Sequence, residues 1–186
     1  MLRTRVGYAG GTIKKPTYRS IGDHTEAIQI EFDPAVITFD ELLEVFLKDH
    51  DPFGPQWSTQ YKAVLWTHGD TQAKQAKAAM AALQKKAGKK PSTPVVPAPT
   101  FWIAEDYHQK YYLRSKRRLI EALLGADAKD DEKIRESTIT ARVNGWLVGY
   151  GTPEEIEADV KRLGITGDAK KALGKALEKR VPALCK

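Results

Sequence analysis

From Glu26 to Phe32 the chain alternates without a break, with Ala27, Gln29 and Glu31 on one side and Ile28, Ile30 and Phe32 on the other. A period of two is the mark of an extended strand with one buried face. Asp33-Pro34 ends the run, and the period then changes. Thr38 followed by Glu41 makes a capping box, and Phe39, Leu42, Leu43, Phe46 and Leu47 recur at helical spacing. A helix is therefore predicted from about Phe39 to Lys48, stopped by His50-Asp51-Pro52. Any fold open to this chain must combine strand faces with helix stripes.

The rest of the chain can be divided in the same way. A loop carrying Trp57 leads into a strand predicted over Tyr61 to Thr67, and an Ala-, Gln- and Lys-rich helix is predicted from about Thr71 to Lys86. Lys89 to Pro99 holds four prolines, so it reads as an extended connection to Phe101-Trp102-Ile103. Helical spacing resumes after Glu105 through Tyr111, Leu113, Leu119, Ile120 and Leu123 and breaks at Gly125. After the acidic stretch Asp127 to Glu136, a second helical unit begins at Ser137, and another at Thr152-Pro153-Glu154-Glu155, an N-cap with proline in the first turn. The expected organisation is a domain over 1–124 and a helical C-terminal extension over 125–186.

Composition narrows the classes. With 186 residues, 41% of them hydrophobic and 29% charged, the chain is expected to bury a core, and collagen-like and disordered classes are excluded. The single cysteine, Cys185, cannot close an intramolecular disulfide, which fits a reducing compartment. Met1 to Gly7 contains no apolar leader pattern, and no apolar run reaches the roughly 18 residues of a membrane span, so the expected location is the cytoplasm, with no membrane partner. A net charge of +6 and the clusters at Lys85 to Lys90 and Lys110 to Arg118 read as solvated faces, not as a nucleic-acid surface. His24, His50 and His108 do not form a recognised ligand set, so no metal is expected. Gly10-Gly11 lacks the Lys-Ser or Lys-Thr of a phosphate loop.

Four segments stand together in order: Val6-Gly7-Tyr8-Ala9-Gly10-Gly11 with Pro16-Thr17-Tyr18-Arg19, then Gly22-Asp23-His24-Thr25-Glu26-Ala27, then Ser58-Thr59-Gln60-Tyr61, and Ala104-Glu105-Asp106-Tyr107-His108-Gln109-Lys110-Tyr111. In this order and spacing they resemble the peptide methionine sulfoxide reductase A family over roughly residues 3–113. The segment Ala141 to Gly151 and the Gly-Asp-His-Thr-Glu form of the second motif resemble one branch of that family, which carries a helical extension. The resemblance implies an α+β fold, a ferredoxin-like two-layer sandwich. It departs at one point: the family's nucleophilic cysteine lies in a Gly-Cys-Phe-Trp motif upstream of Arg5-Val6-Gly7-Tyr8, and the 186 residues begin after it. The expectation is that the motif's strand and helix are missing from this chain, through a downstream start or a fragment, and that the chain as it stands is inactive.

The implied chemistry is reduction of methionine S-sulfoxide, in proteins or as the free amino acid, to repair oxidative damage. A thiolate attacks the sulfoxide sulfur while an acid protonates the oxygen; a second thiol resolves the sulfenic acid, and thioredoxin or another dithiol reduces the product, with no cofactor. By resemblance Glu26 is the acid and Tyr18 and Tyr61 orient the oxygen. Gln56 stands where many relatives carry an aspartate, and it and Trp57 join the substrate-binding set. Cys185 is placed as a resolving thiol. The alternation is read here as setting Glu26 opposite Ile28, Ile30 and Phe32, at a strand edge where a glutamate is ordinarily solvated. The alternative function is a non-catalytic sulfoxide- or thioether-binding module. Phe32, Phe39, Leu43, Phe46, Val64 and Trp66 are the expected core.

Overall fold

The computed structural model describes residues 2–179. In chain order they form β1 (Arg3–Ala9), β2 (Thr25–Glu31), α1 (Phe39–Lys48), β3 (Leu65–Thr67), α2 (Gly69–Ala87), β4 (Val95–Pro97), β5 (Phe101–Ile103), α3 (Tyr111–Arg114), α4 (Arg117–Leu124), α5 (Asp131–Glu136), α6 (Thr138–Leu147), α7 (Pro153–Arg162) and α8 (Gly167–Leu177), with short 3-10 turns at Asp106–His108 and Gly125–Lys129. The fold is mixed α+β. Two compact units divide it: residues 6–104, and the described residues of 1–5 with 105–186.

In the first unit, β1 pairs antiparallel with β5 in the register Gly7↔Ile103, Tyr8↔Trp102 and Ala9↔Phe101, within a three-stranded sheet of order β2-β1-β5. β3 and β4 pair in parallel, Leu65↔Val95 to Thr67↔Pro97, a separate sheet whose crossover is α2. The predicted helix over Phe39–Lys48 forms with both arms of its capping box, Glu41 N–H donating to Thr38 Oγ1 at 3.2 Å and Thr38 N–H to Glu41 at 2.7 Å. α2 begins ahead of Thr71, because the His68 N–H is capped by Gln72 Oε1 at 2.8 Å. It ends at Gly88, whose φ of +68° is the left-handed cap conformation that favours a residue without a Cβ.

The strand predicted over Tyr61 to Thr67 shortens to Leu65–Thr67. Side chains compete for the earlier amides: Tyr61 N–H faces Ser58 Oγ at 3.4 Å and Ala63 N–H donates to Gln56 Oε1 at 2.9 Å, so neither joins a ladder. The core expectation holds in full only for Leu43, at 3% exposure. Phe32, Phe39, Phe46, Val64 and Trp66 are half-buried and line an apolar cleft of about 290 Å³ between β2, α1 and the approach to β3. Ile28 on the same wall is 59% exposed.

In the second unit, Leu113, Leu119, Ile120, Ile134, Val143, Trp146, Leu147, Ile156, Val160, Ile165 and Leu173 form one buried cluster. The helical pattern read through Tyr111 to Leu123 is broken into α3 and α4, because Ser115 Oγ donates to the Tyr112 carbonyl and Lys116 N–H to that of Leu113, closing the first helix. Ser137 caps α6, and Thr152 caps α7 with Pro153 in the first turn and Glu155 completing a capping box. Glu136 accepts from Arg3 at 3.3 Å, Arg5 at 2.7 Å and Arg135 at 3.0 Å. These hydrogen bonds, that from Arg5 foremost, hold its carboxyl down at about 2.

Beside this hub Lys110, 5% exposed, donates from Nζ to the carbonyls of Thr4 at 2.6 Å and Arg135 at 2.9 Å. Burial lowers it to about 8 from 10.5, despite the pull of Glu136. Between those two values the unfolded chain binds more protons at this site than the folded one, so folding stability from Lys110 rises with pH across that window. The full effect is about 3 kcal/mol. Urea unfolding at pH 7.5 and pH 10 tests this: the rise between the two is expected to be larger in the parent than in Lys110→Met.

Candidate active site

Four consecutive residues, Asp23 to Glu26, lead into and begin β2, and each holds one of two loops. Asp23 accepts the Thr12 N–H at 2.8 Å and the Thr12 hydroxyl at 3.1 Å. The backbone bond is the larger cause of its carboxyl lying below the usual range. His24 is 1% exposed; its Nδ1 accepts from the Gly11 N–H at 3.1 Å, which leaves Nε2–H to donate to the Ile13 carbonyl at 2.8 Å. A Cβ on Gly11 would stand 2.6 Å from that imidazole, so the close approach requires glycine. These bonds fix the start of the loop carrying Tyr18, which sits in the Thr17–Ser20 turn.

Thr25 and Glu26 hold the other loop. Thr25 Oγ1 donates to the Thr59 carbonyl at 2.8 Å and the Glu26 N–H to the Gln60 carbonyl at 2.9 Å. Gln60 Nε2 returns a bond to Glu26 Oε1 at 2.8 Å. Tyr61 follows immediately. Its hydroxyl lies above the ordinary phenol range, first through displaced water, then through the negative charge of Glu26 and through Tyr18. Glu26 and Tyr18 thus each lie near enough to Tyr61 to act on its hydroxyl.

Glu26 is exposed and lines the end of the apolar cleft. The reading that set it opposite Ile28, Ile30 and Phe32 is corrected: residues two and four apart share a strand face, and Glu26 stands on the Ile28 and Ile30 side. Gln56 does not face the tyrosines with its carbonyl, which is bonded to Ala63 N–H. Trp57 is 89% exposed and does not line the cleft. Cys185 lies outside the described residues. Among the described residues no three His, Cys, Asp or Glu side chains group as a cation site, and no helix is long and apolar enough to cross a membrane. Sequence reading missed Gln60 and the loop-holding roles of Asp23, His24 and Thr25. All four lie inside motifs that were singled out, but only their partners reveal what they hold.

On this mixed α+β scaffold, a carboxylate at the apolar cleft acts on the hydroxyl of Tyr61, and so does the second phenol, Tyr18. The peptide methionine sulfoxide reductase family model matches residues 1–139, and the chain belongs to that family of oxidoreductases. A peptide methionine sulfoxide reductase of Drosophila melanogaster is 35% identical over 169 residues, 89% of this chain and 67% of the relative. Peptide methionine sulfoxide reductase A5 of Oryza sativa is 35% identical over 82% of this chain and 61% of its own length. The chain thus spans about two thirds of these relatives. Among solved structures, Mxr1 from Saccharomyces cerevisiae in reduced form superposes with a TM-score of 0.55 at 32% identity, over 60% of this chain and 70% of that one. The methionine sulfoxide reductase A of Corynebacterium diphtheriae gives 0.51 at 31% identity, over 60% and 62%.

Proposed function

We propose that this protein reduces methionine S-sulfoxide, in peptides or free, to methionine as a repair step after oxidation, working in the cytoplasm. The observation that carries the reading is the junction of Glu26, Gln60, Tyr61 and Tyr18 beside an apolar cleft: hydroxyl and carboxyl donors for a sulfoxide oxygen next to a surface that suits a thioether chain. A thiolate attacks the sulfoxide sulfur and Glu26 protonates the oxygen, which Tyr18 and Tyr61 orient. The oxygen ends on the cysteine as a sulfenic acid, so the methionine sulfur is reduced and the cysteine sulfur oxidised by two electrons. A second thiol displaces water to form a disulfide, which thioredoxin or another dithiol reduces. No metal or organic cofactor takes part.

The 186 residues contain one thiol, Cys185. We assign it the resolving role and assign the nucleophile to a cysteine other than Cys185, of the Gly-Cys-Phe-Trp type that the family resemblance implies. The reductase-like domain over 1–124 is then a ferredoxin-like sandwich, with 125–186 as its helical extension. The half-buried walls of the cleft support the view that a further strand and helix belong against β2 and α1. Residues 1–186 alone would bind sulfoxide without turning it over. The single cysteine equally favours a second reading, a non-catalytic sulfoxide- or thioether-binding module. Calorimetric titration with N-acetylmethionine S-sulfoxide and with N-acetylmethionine tests the pocket itself. The sulfoxide is expected to bind about tenfold more tightly, and Tyr61→Phe to remove most of that margin. Equal affinities would overturn the pocket assignment.

A further inference from the structure

We propose that Gln60 is a positioning residue which decides the oxygen of Glu26 that carries the proton. This rests on the sulfoxide reading of the pocket. The Thr25 hydroxyl to the Thr59 carbonyl, the Glu26 N–H to the Gln60 carbonyl and the Gln60 amide to Glu26 Oε1, at 2.8, 2.9 and 2.8 Å, lock the two segments in one register. The Gln60 side chain is therefore delivered to Glu26 by its own backbone.

An amide nitrogen only donates. Glu26 Oε1, facing it, has to accept in either protonation state, so the proton of the neutral acid sits on Oε2. A free carboxyl gives its proton from either oxygen, and the amide removes that choice. Turned over, the amide would set its carbonyl against an ionised carboxylate oxygen, acceptor against acceptor, with no proton between them. The Gln60 amide also acts on the Tyr61 hydroxyl, drawing it down against the displaced water, the charge of Glu26 and Tyr18, all of which raise it.

The 186-residue chain allows the test. N-acetylmethionine S-sulfoxide binding is titrated for the parent, Gln60→Met, Glu26→Leu and the double variant, and the Tyr61 hydroxyl is titrated by NMR of ring-labelled tyrosine, assigned with Tyr61→Phe. Gln60→Met is expected to weaken sulfoxide binding about tenfold, to raise the Tyr61 midpoint through loss of a donor, and to combine with Glu26→Leu to less than the product of the two losses. Gln60→Glu keeps the shape and removes the N–H; it is expected to weaken binding at least as much and to raise Tyr61 further, and it decides the matter if Gln60→Met does not fold. Binding within twofold of the parent, an unmoved Tyr61 midpoint, or fully multiplicative losses would overturn the role of Gln60 while leaving the pocket intact. A parent with no sulfoxide affinity would overturn the pocket reading, and this role with it.

Discussion

In a chain that carries the Gly-Cys-Phe-Trp segment, Glu26→Gln is expected to lower kcat/KM for methionine S-sulfoxide by about a hundredfold to ten-thousandfold, the range of a lost general acid. Most of the loss should fall on kcat, because the glutamine still accepts from Gln60 and preserves the loop register, whereas the proton transfer is gone. The backbone supports this separation of roles: the Glu26 N–H bond to the Gln60 carbonyl and the Thr25 bond to the Thr59 carbonyl do not involve the carboxyl. Steady-state kinetics with the purified S epimer measure it. A loss confined to KM would assign Glu26 to binding alone.

The elements most legible in the sequence were those set by local chemistry. The Thr38–Glu41 capping box, Thr152 with Pro153, Ser137 ahead of α6 and the period-two run of β2 each depend on neighbours within a few residues, and each stands within a residue or so of its predicted place. Readings that needed a distant partner fared differently. Whether Tyr61 extends a strand depended on Ser58 and Gln56 competing for the amides ahead of β3, and periodicity carries no sign of that. Phe32, Phe46 and Trp66 have the spacing of core residues, but periodicity names only the face to be covered and not what covers it, so their half-burial could not be read from spacing.

The site divides along the same line. Tyr18, Glu26 and Tyr61 stand out in the sequence because their motifs resemble a family. Asp23, His24, Thr25 and Gln60 were quoted in those motifs without a role. Their roles reside in bonds to Thr12, Gly11, Ile13, Thr59 and Glu26, most of them across more than ten residues of chain. His24 illustrates the point: a histidine near a glutamate invites a metal or an acid–base role, yet both of its ring nitrogens are engaged by backbone of the Tyr18 loop.

The proposal at the centre of this account is that Glu26, Tyr18 and Tyr61 act as the acid and the orienting phenols of a sulfoxide reductase whose attacking thiolate is not Cys185. Resolving a sulfenic acid needs only a second thiol that can reach the pocket mouth, the role proposed for Cys185. Adding a Gly-Cys-Phe-Trp segment is therefore expected to take turnover from background to a measurable kcat, the largest change foreseen for this protein. The direct measurement is methionine S-sulfoxide turnover with dithiothreitol and with thioredoxin, for residues 1–186, for the form extended with Gly-Cys-Phe-Trp, and for Cys185→Ser in each. The account predicts no turnover by residues 1–186 and turnover by the extended form. Cys185→Ser should slow thioredoxin-driven recycling there and spare the first turnover. Robust turnover by residues 1–186 that Cys185→Ser abolishes, or an inactive extended form, would contradict it.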